Sequence, residues 1–134
     1  MGTRSMIGIL NESGTVTASY CHYDGYFDGV GKTLIESYNN GEKAIQVARG
    51  GYLSSLGPNY DESKGFAANE DVADLFNNEV DFKENAEEFC GAEYIYLWDG
   101  AQWLVNECYG PGDAFGRYND EGFQPLEIIF KEVA

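Results

Sequence analysis

The stretch Glu93-Tyr-Ile-Tyr-Leu-Trp98-Asp-Gly100-Ala-Gln-Trp103-Leu-Val-Asn-Glu-Cys108 decides the fold. Two runs of β-branched and aromatic residues flank Asp99-Gly100, and Asp-Gly between such runs is a strong hairpin signal. Tyr94, Tyr96, Trp98 and Trp103 are cross-strand aromatic candidates whose packing on a sheet face needs no functional explanation. A second hairpin is predicted over residues 4–22. Met6–Leu10 is a short apolar strand, and Asn11-Glu12-Ser13-Gly14 is a turn. From Thr15 to His22 the pattern alternates: Val16, Ala18, Tyr20 and His22 share one face, and Thr15, Thr17, Ser19 and Cys21 the other.

Between the hairpins the period changes. Leu34, Ile35 and Tyr38 form a helical stripe from about Gly31, ended by Asn39-Asn40-Gly41. A second helix over about 42–49 turns Ala44, Ile45, Ala48 and Val47 inward. Residues 52–68 read as irregular, with Gly57-Pro58-Asn59 as a breaker. Residues 69–90 read as two helical pieces. Asn69 caps the first, whose apolar side is Val72, Leu75 and Phe76; Phe82, Ala86 and Phe89 line the second. Residues 110–122 are a Gly-rich loop, and Leu126–Val133 is a strand or a short helix, with Leu126–Phe130 leaning towards a strand. No repeat or linker divides the chain. The expectation is a single α+β domain over 1–134, with an antiparallel sheet built from two β-hairpins and short helices packed on one face.

The 134 residues are 43% apolar and 15% aromatic, enough for one real core and a poor match to a disordered chain. Eight Lys and Arg against 23 Asp and Glu give a net charge of −15. That argues against direct contact with nucleic-acid phosphates or an anionic membrane, and for basic partners. No apolar stretch is long enough to cross a membrane, and Met6–Leu10 is too short for the core of a signal peptide. Cys21, Cys90 and Cys108 are few, odd in number and unpatterned. They read as reduced thiols in a cytoplasm.

The acidity is concentrated. Residues 59–93 hold eleven carboxylates against Lys64 and Lys83, a local net of −9. Like charges held together repel, so such a segment costs stability. A solvated face would give the same pattern. The sharper expectation is a surface that imitates rows of phosphates and enters the basic cleft of a nucleic-acid enzyme. Its candidate partner-binding residues are Asp61, Glu62, Glu70, Asp71, Asp74, Asp81, Glu84, Glu87 and Glu88. The acids lack the spacing of a calcium loop and the cysteines lack that of a zinc site, so no metal or other cofactor is expected.

The other unusual chemistry is Tyr20-Cys-His-Tyr-Asp-Gly-Tyr26 and the Gly-rich stretch up to Lys32. Gly29-Val-Gly-Lys-Thr33 falls short of a phosphate loop, because Tyr26 stands where the first glycine belongs. A strand, a Gly-rich turn and a helix start can still surround an anion with N–H groups. Arg4, His22, Tyr23, Asp24, Tyr26 and Lys32 are therefore candidates for a nucleotide-like ligand, with Arg49 as a further cation. Core or loop packing would explain the aromatics equally well. A Cys21/His22 hydrolase is disfavoured, since neighbouring strand residues point to opposite faces.

Gly2-Thr-Arg-Ser-x-Ile7-Gly8, Tyr20-Cys-His-x-Asp-Gly-Tyr26, Gly31-Lys32 and Leu53-Ser-Ser-Leu56 together resemble a group of small proteins encoded by tailed bacteriophages and prophages. Tyr23 departs from that pattern, where Trp is usual. The resemblance covers roughly residues 2–56 and carries no activity to transfer. It implies a phage product acting in the cytoplasm of a bacterial host. With the acidic segment, it leads to the expectation of a non-catalytic anti-defence inhibitor that blocks a CRISPR or restriction nuclease. A protein that binds or sequesters a small ligand is the alternative.

Overall fold

The computed structural model describes residues 3–51, 53, 55–60, 73–90, 93–107 and 123–127, with only the backbone of 87–90 and 107. In chain order these form β1 (Ser5–Leu10), β2 (Val16–Cys21), one π-helical turn (Phe27–Gly31), α1 (Lys32–Ser37) and α2 (Gly41–Arg49). Then come β3 (Asp74–Phe76), α3 (Glu79–Cys90), β4 (Tyr94–Trp98), β5 (Trp103–Glu107) and β6 (Gln124–Pro125). The fold is α+β, with one mostly antiparallel sheet ordered β3-β2-β1-β4-β5-β6.

Both hairpins form where the sequence places them. Gly14 and Gly100 take positive φ in their turns, at 92° and 106°. Asp99 closes the second turn, its Oδ1 accepting the N–H groups of Ala101 and Gln102 at 2.9 Å. The hairpins meet through their inner strands. There the structure departs from a purely antiparallel sheet: β1 and β4 run parallel, from Ser5 beside Tyr94 to Ile9 beside Trp98. Ser5–Ile9 and the whole of β4 are buried. Strands covered on both faces and read as continuous apolar runs are the kind that parallel pairing uses.

Two-sided burial also changes the layering expected from sequence. Ile7, Ile9, Tyr94, Tyr96 and Trp98 lie in one core with Leu34, Tyr38, Ala44, Val47 and Ala48 of the α1–α2 layer. Met6, Val16, Ala18, Ile95 and Leu97 lie on the opposite face with Phe82 and Ala86 of α3. Helices therefore cover both faces, not one. Gly8 makes room for the second layer. A Cβ there would stand 3.3 Å from the Phe82 ring and 3.0 Å from Val16.

The first layer is tied down by polar contacts. Asn40 caps α2 by accepting the Lys43 N–H at 2.9 Å. At the other end, Ser19 donates to the Ala48 carbonyl at 2.7 Å and accepts from the Gly51 N–H at 2.9 Å. Ile45, expected inward, is exposed, and Val47 takes the buried position. Trp103 packs edge-on against Trp98 with ring centres 5.4 Å apart, and its indole donates to the Tyr38 carbonyl at 3.0 Å. Near the C-terminus the described strand is Gln124–Pro125, and Leu126–Glu127 takes the helical alternative rather than the favoured strand. Residues 110–122, and the remainder of the predicted final strand, lie outside the described residues.

Candidate functional site

Among the described residues of the acidic segment, 79–90 is helical as expected, but 74–76, placed in the first helical piece, is a strand. Asp74 lies half-buried on β3, paired with Ala18 at the edge of the sheet. Leu75, expected to face inward, is 70% exposed, while Phe76 is buried. At 74–76, strand alternation has replaced the helical stripe. The next carboxylate serves the fold. Asn78 accepts the Asp81 N–H at 2.8 Å, and Asp81 returns the bond by accepting the Asn77 N–H at 2.8 Å. Asp81 also accepts from the Asn85 amide at 2.7 Å. This reciprocal arrangement is an N-terminal helix cap. Glu84 is exposed. By helical period the positions of Glu84, Glu87 and Glu88 fall on the side of α3 opposite Phe82 and Ala86. Among the described residues, neither Glu79 nor Glu84 forms an ion pair, and Val80 stands 57% exposed beside them. Asp61, Glu62, Glu70 and Asp71 lie outside the described residues.

The Tyr20–Tyr26 segment is brought together and braced. His22 donates its N–H to the Leu53 carbonyl at 3.0 Å, and Leu53 donates to the Tyr20 carbonyl at 2.8 Å. Gly25 donates to the Thr3 carbonyl at 2.8 Å and accepts the buried Tyr96 hydroxyl at 2.6 Å. A Cβ at Gly25 would sit 2.7 Å from that of Ser5, so only glycine allows this approach. Asp24 takes φ of 59°, a left-handed conformation that Asp tolerates better than most, and its carbonyl accepts the Val30 N–H at 2.8 Å.

On this frame Tyr20 Oη and His22 Nδ1 are 2.7 Å apart, and His22 meets Tyr23 edge-on with centres separated by 4.5 Å. The Tyr26 hydroxyl donates to Asp24 at 3.2 Å, which raises the Tyr26 pKa. Tyr23 and Tyr26 are both close to half exposed. His22, Tyr23, Asp24 and Tyr26 thus form one surface. Arg4 adjoins it through Thr3, and Lys32 is exposed where the π-helical turn passes into α1. Arg49 does not join them. Its guanidinium donates to Asn11 at 3.1 Å, at the other end of β1. Six residue steps along β1 separate Arg4 from Leu10, about 20 Å. The acids of the loop itself, Asp24 and Asp28, are exposed and oppose an anionic ligand.

Cys21 is fully buried, opposite Ser5 in the sheet register, with its thiol directed at the Tyr23 carbonyl 3.6 Å away. Burial, reinforced by the charge of Asp24, pushes its pKa from 9.0 to about 12. A thiol held protonated, in contact with a backbone carbonyl, is not an activated nucleophile. Among the described residues no helix is long and apolar enough to cross a membrane. The chain matches no protein-family model, no curated protein and no solved structure.

Proposed function

We propose that the chain is a non-catalytic acidic binding protein that occupies a basic cleft of a nucleic-acid-processing enzyme. The phage-like N-terminal segments favour a host defence nuclease, of the CRISPR or restriction type, met in the bacterial cytoplasm. The observation that carries the reading is the outer side of α3. A helix anchored through Phe82 and Ala86 turns the positions of Glu84, Glu87 and Glu88 away from the core, and Glu84 has no counter-ion among the described residues. An exposed apolar residue beside the acids, Val80, adds the desolvated contact that charge alone does not supply. Carboxylates on a rigid helix meet a cationic groove without the ordering cost of a flexible tail, and they accelerate encounter in a salt-dependent way.

The test is inhibition of DNA cleavage by a panel of purified CRISPR and restriction nucleases. At least one enzyme is expected to be blocked near equimolar inhibitor. The triple variant Glu84→Lys, Glu87→Lys, Glu88→Lys should lose at least about tenfold in potency, equivalent to about 1.4 kcal/mol. No inhibition across the panel, or equal potency of the folded triple variant, would sink the proposal.

A further inference from the structure

A cavity of about 270 Å³ lies away from both surfaces, between α2 and the segment that ends at Tyr60. It is lined by Tyr38, Lys43, Gln46, Pro58, Asn59 and Tyr60. Its walls are fixed by the fold. The Tyr38 ring is buried, and its hydroxyl donates to the Gly57 carbonyl at 2.6 Å, which pins the segment that follows. The Tyr60 hydroxyl lies against Gly50 at the end of α2, in the space where any side chain at position 50 would stand. Lys43 and Gln46 are three residues apart on α2 and so share one side of it. Both side chains are exposed. Among the described residues, neither the ammonium nor the amide has a hydrogen-bond or ion-pair partner.

We infer that this cavity is a binding site for a small ring compound carrying one oxyanion group, a carboxylate or a phosphate. The volume falls just below that of ordinary ligand pockets, which start at about 300 Å³, and so suits only a small compound. Pro58 and Tyr60, the more accessible rings of the lining, offer ring surface to a small apolar body. The Lys43 ammonium supplies a charge-assisted donor to the oxyanion, and the amides of Gln46 and Asn59 can both donate and accept. The excess negative charge of the chain opposes an anion at long range. At physiological salt that field fades over about 8 Å, so the ammonium in the lining outweighs the carboxylates that lie beyond that range. This cavity, rather than the loop around Asp24, is where a small anion fits, because among the described residues its lining holds a cation and no carboxylate.

The test is an amide-resolved NMR titration of the full chain at physiological salt with four probes: benzoate, phenyl phosphate, inorganic phosphate and neutral benzyl alcohol. Saturable shifts confined to Lys43, Gln46, Asn59 and Tyr60 are expected with benzoate or phenyl phosphate, and the stronger of the two identifies the oxyanion. Inorganic phosphate and benzyl alcohol should each bind at least about tenfold more weakly, since each lacks half of the recognised chemistry. Lys43→Gln should weaken the ring oxyanions by a similar factor while the remaining spectrum stays that of the wild type. Absence of saturable shifts at these amides with both ring oxyanions overturns the inference, as does undiminished binding by Lys43→Gln. Because α3 is untouched, Lys43→Gln should inhibit a nuclease as well as the wild type does.

Discussion

At the scale of single residues, the Tyr20–Tyr26 segment shows how neighbours diverge in role. Alternation along β2 sends Cys21 into the core, and His22, just past the strand, stays partly exposed beside Tyr20 and Tyr23. That much is legible in the sequence, because opposite faces follow from strand geometry alone. The bracing of the loop is not legible. It depends on Gly25 meeting Thr3 and Tyr96, partners 22 and 71 positions away in the chain. The buried thiol has a measurable consequence. Its folded pKa, about 12, lies above the ordinary 9.0. The folded state therefore holds a proton that the unfolded state releases first. The corresponding stability is complete below about pH 9 and is lost as pH rises towards about 12. From neutral pH to about pH 10.5 this amounts to about 2 kcal/mol. Urea unfolding at those two pH values should show Cys21→Ala losing less stability than the wild type by about that amount. Tyrosine ionisation is common to both proteins and cancels in the difference. Equal losses would mean that the thiol is not desolvated as its burial implies.

At the scale of elements, α3 carries both a structural carboxylate and exposed ones. Asp81 closes the helix start with Asn77 and Asn78, whereas Glu84 has no such duty. Asp81→Ala should cost about 1–2 kcal/mol in urea unfolding, and Glu84→Ala should change stability by less than about 0.5 kcal/mol. A result in the opposite order would show that the cap contributes nothing to the fold. Asp81 consequently belongs outside any charge-reversal set aimed at a partner, since reversing it would confuse unfolding with lost binding. Elements with long, strongly patterned runs are the ones legible beforehand: both hairpins, α2 and the body of α3. β3 is not. Val72, Leu75 and Phe76 fit a helical stripe, and a three-residue strand is too short for its alternation to compete with that reading. Pairing with the open edge of β2, a tertiary event, settles the matter. The layering is hidden for a similar reason. Met6–Leu10 reads as one apolar run, which does not reveal that both of its faces will need a helix.

At the scale of the whole molecule, the net charge of −15 is a standing repulsion that the fold must contain. A compact chain of this length has a radius of gyration of about 14 Å. The screening length is about 30 Å at 0.01 M salt and about 8 Å at 0.15 M. In dilute buffer every carboxylate feels all the others, whereas at physiological salt only near neighbours interact. Unfolding lets the charges separate, so screening relieves the folded state more than the unfolded one. Raising NaCl over that range should therefore raise the melting temperature, by roughly 3–10 °C for a gain of about 1–2 kcal/mol. The triple reversal of Glu84, Glu87 and Glu88 to Lys brings the net charge from −15 to −15 + 6 = −9. If the helix contributes to the repulsion, calorimetry should find that the variant melts higher than the wild type in dilute buffer and gains less from salt. A variant that melts lower at every salt concentration would mean that those carboxylates stabilise the fold. It would also remove the cost that makes an acidic helix face worth explaining by a partner.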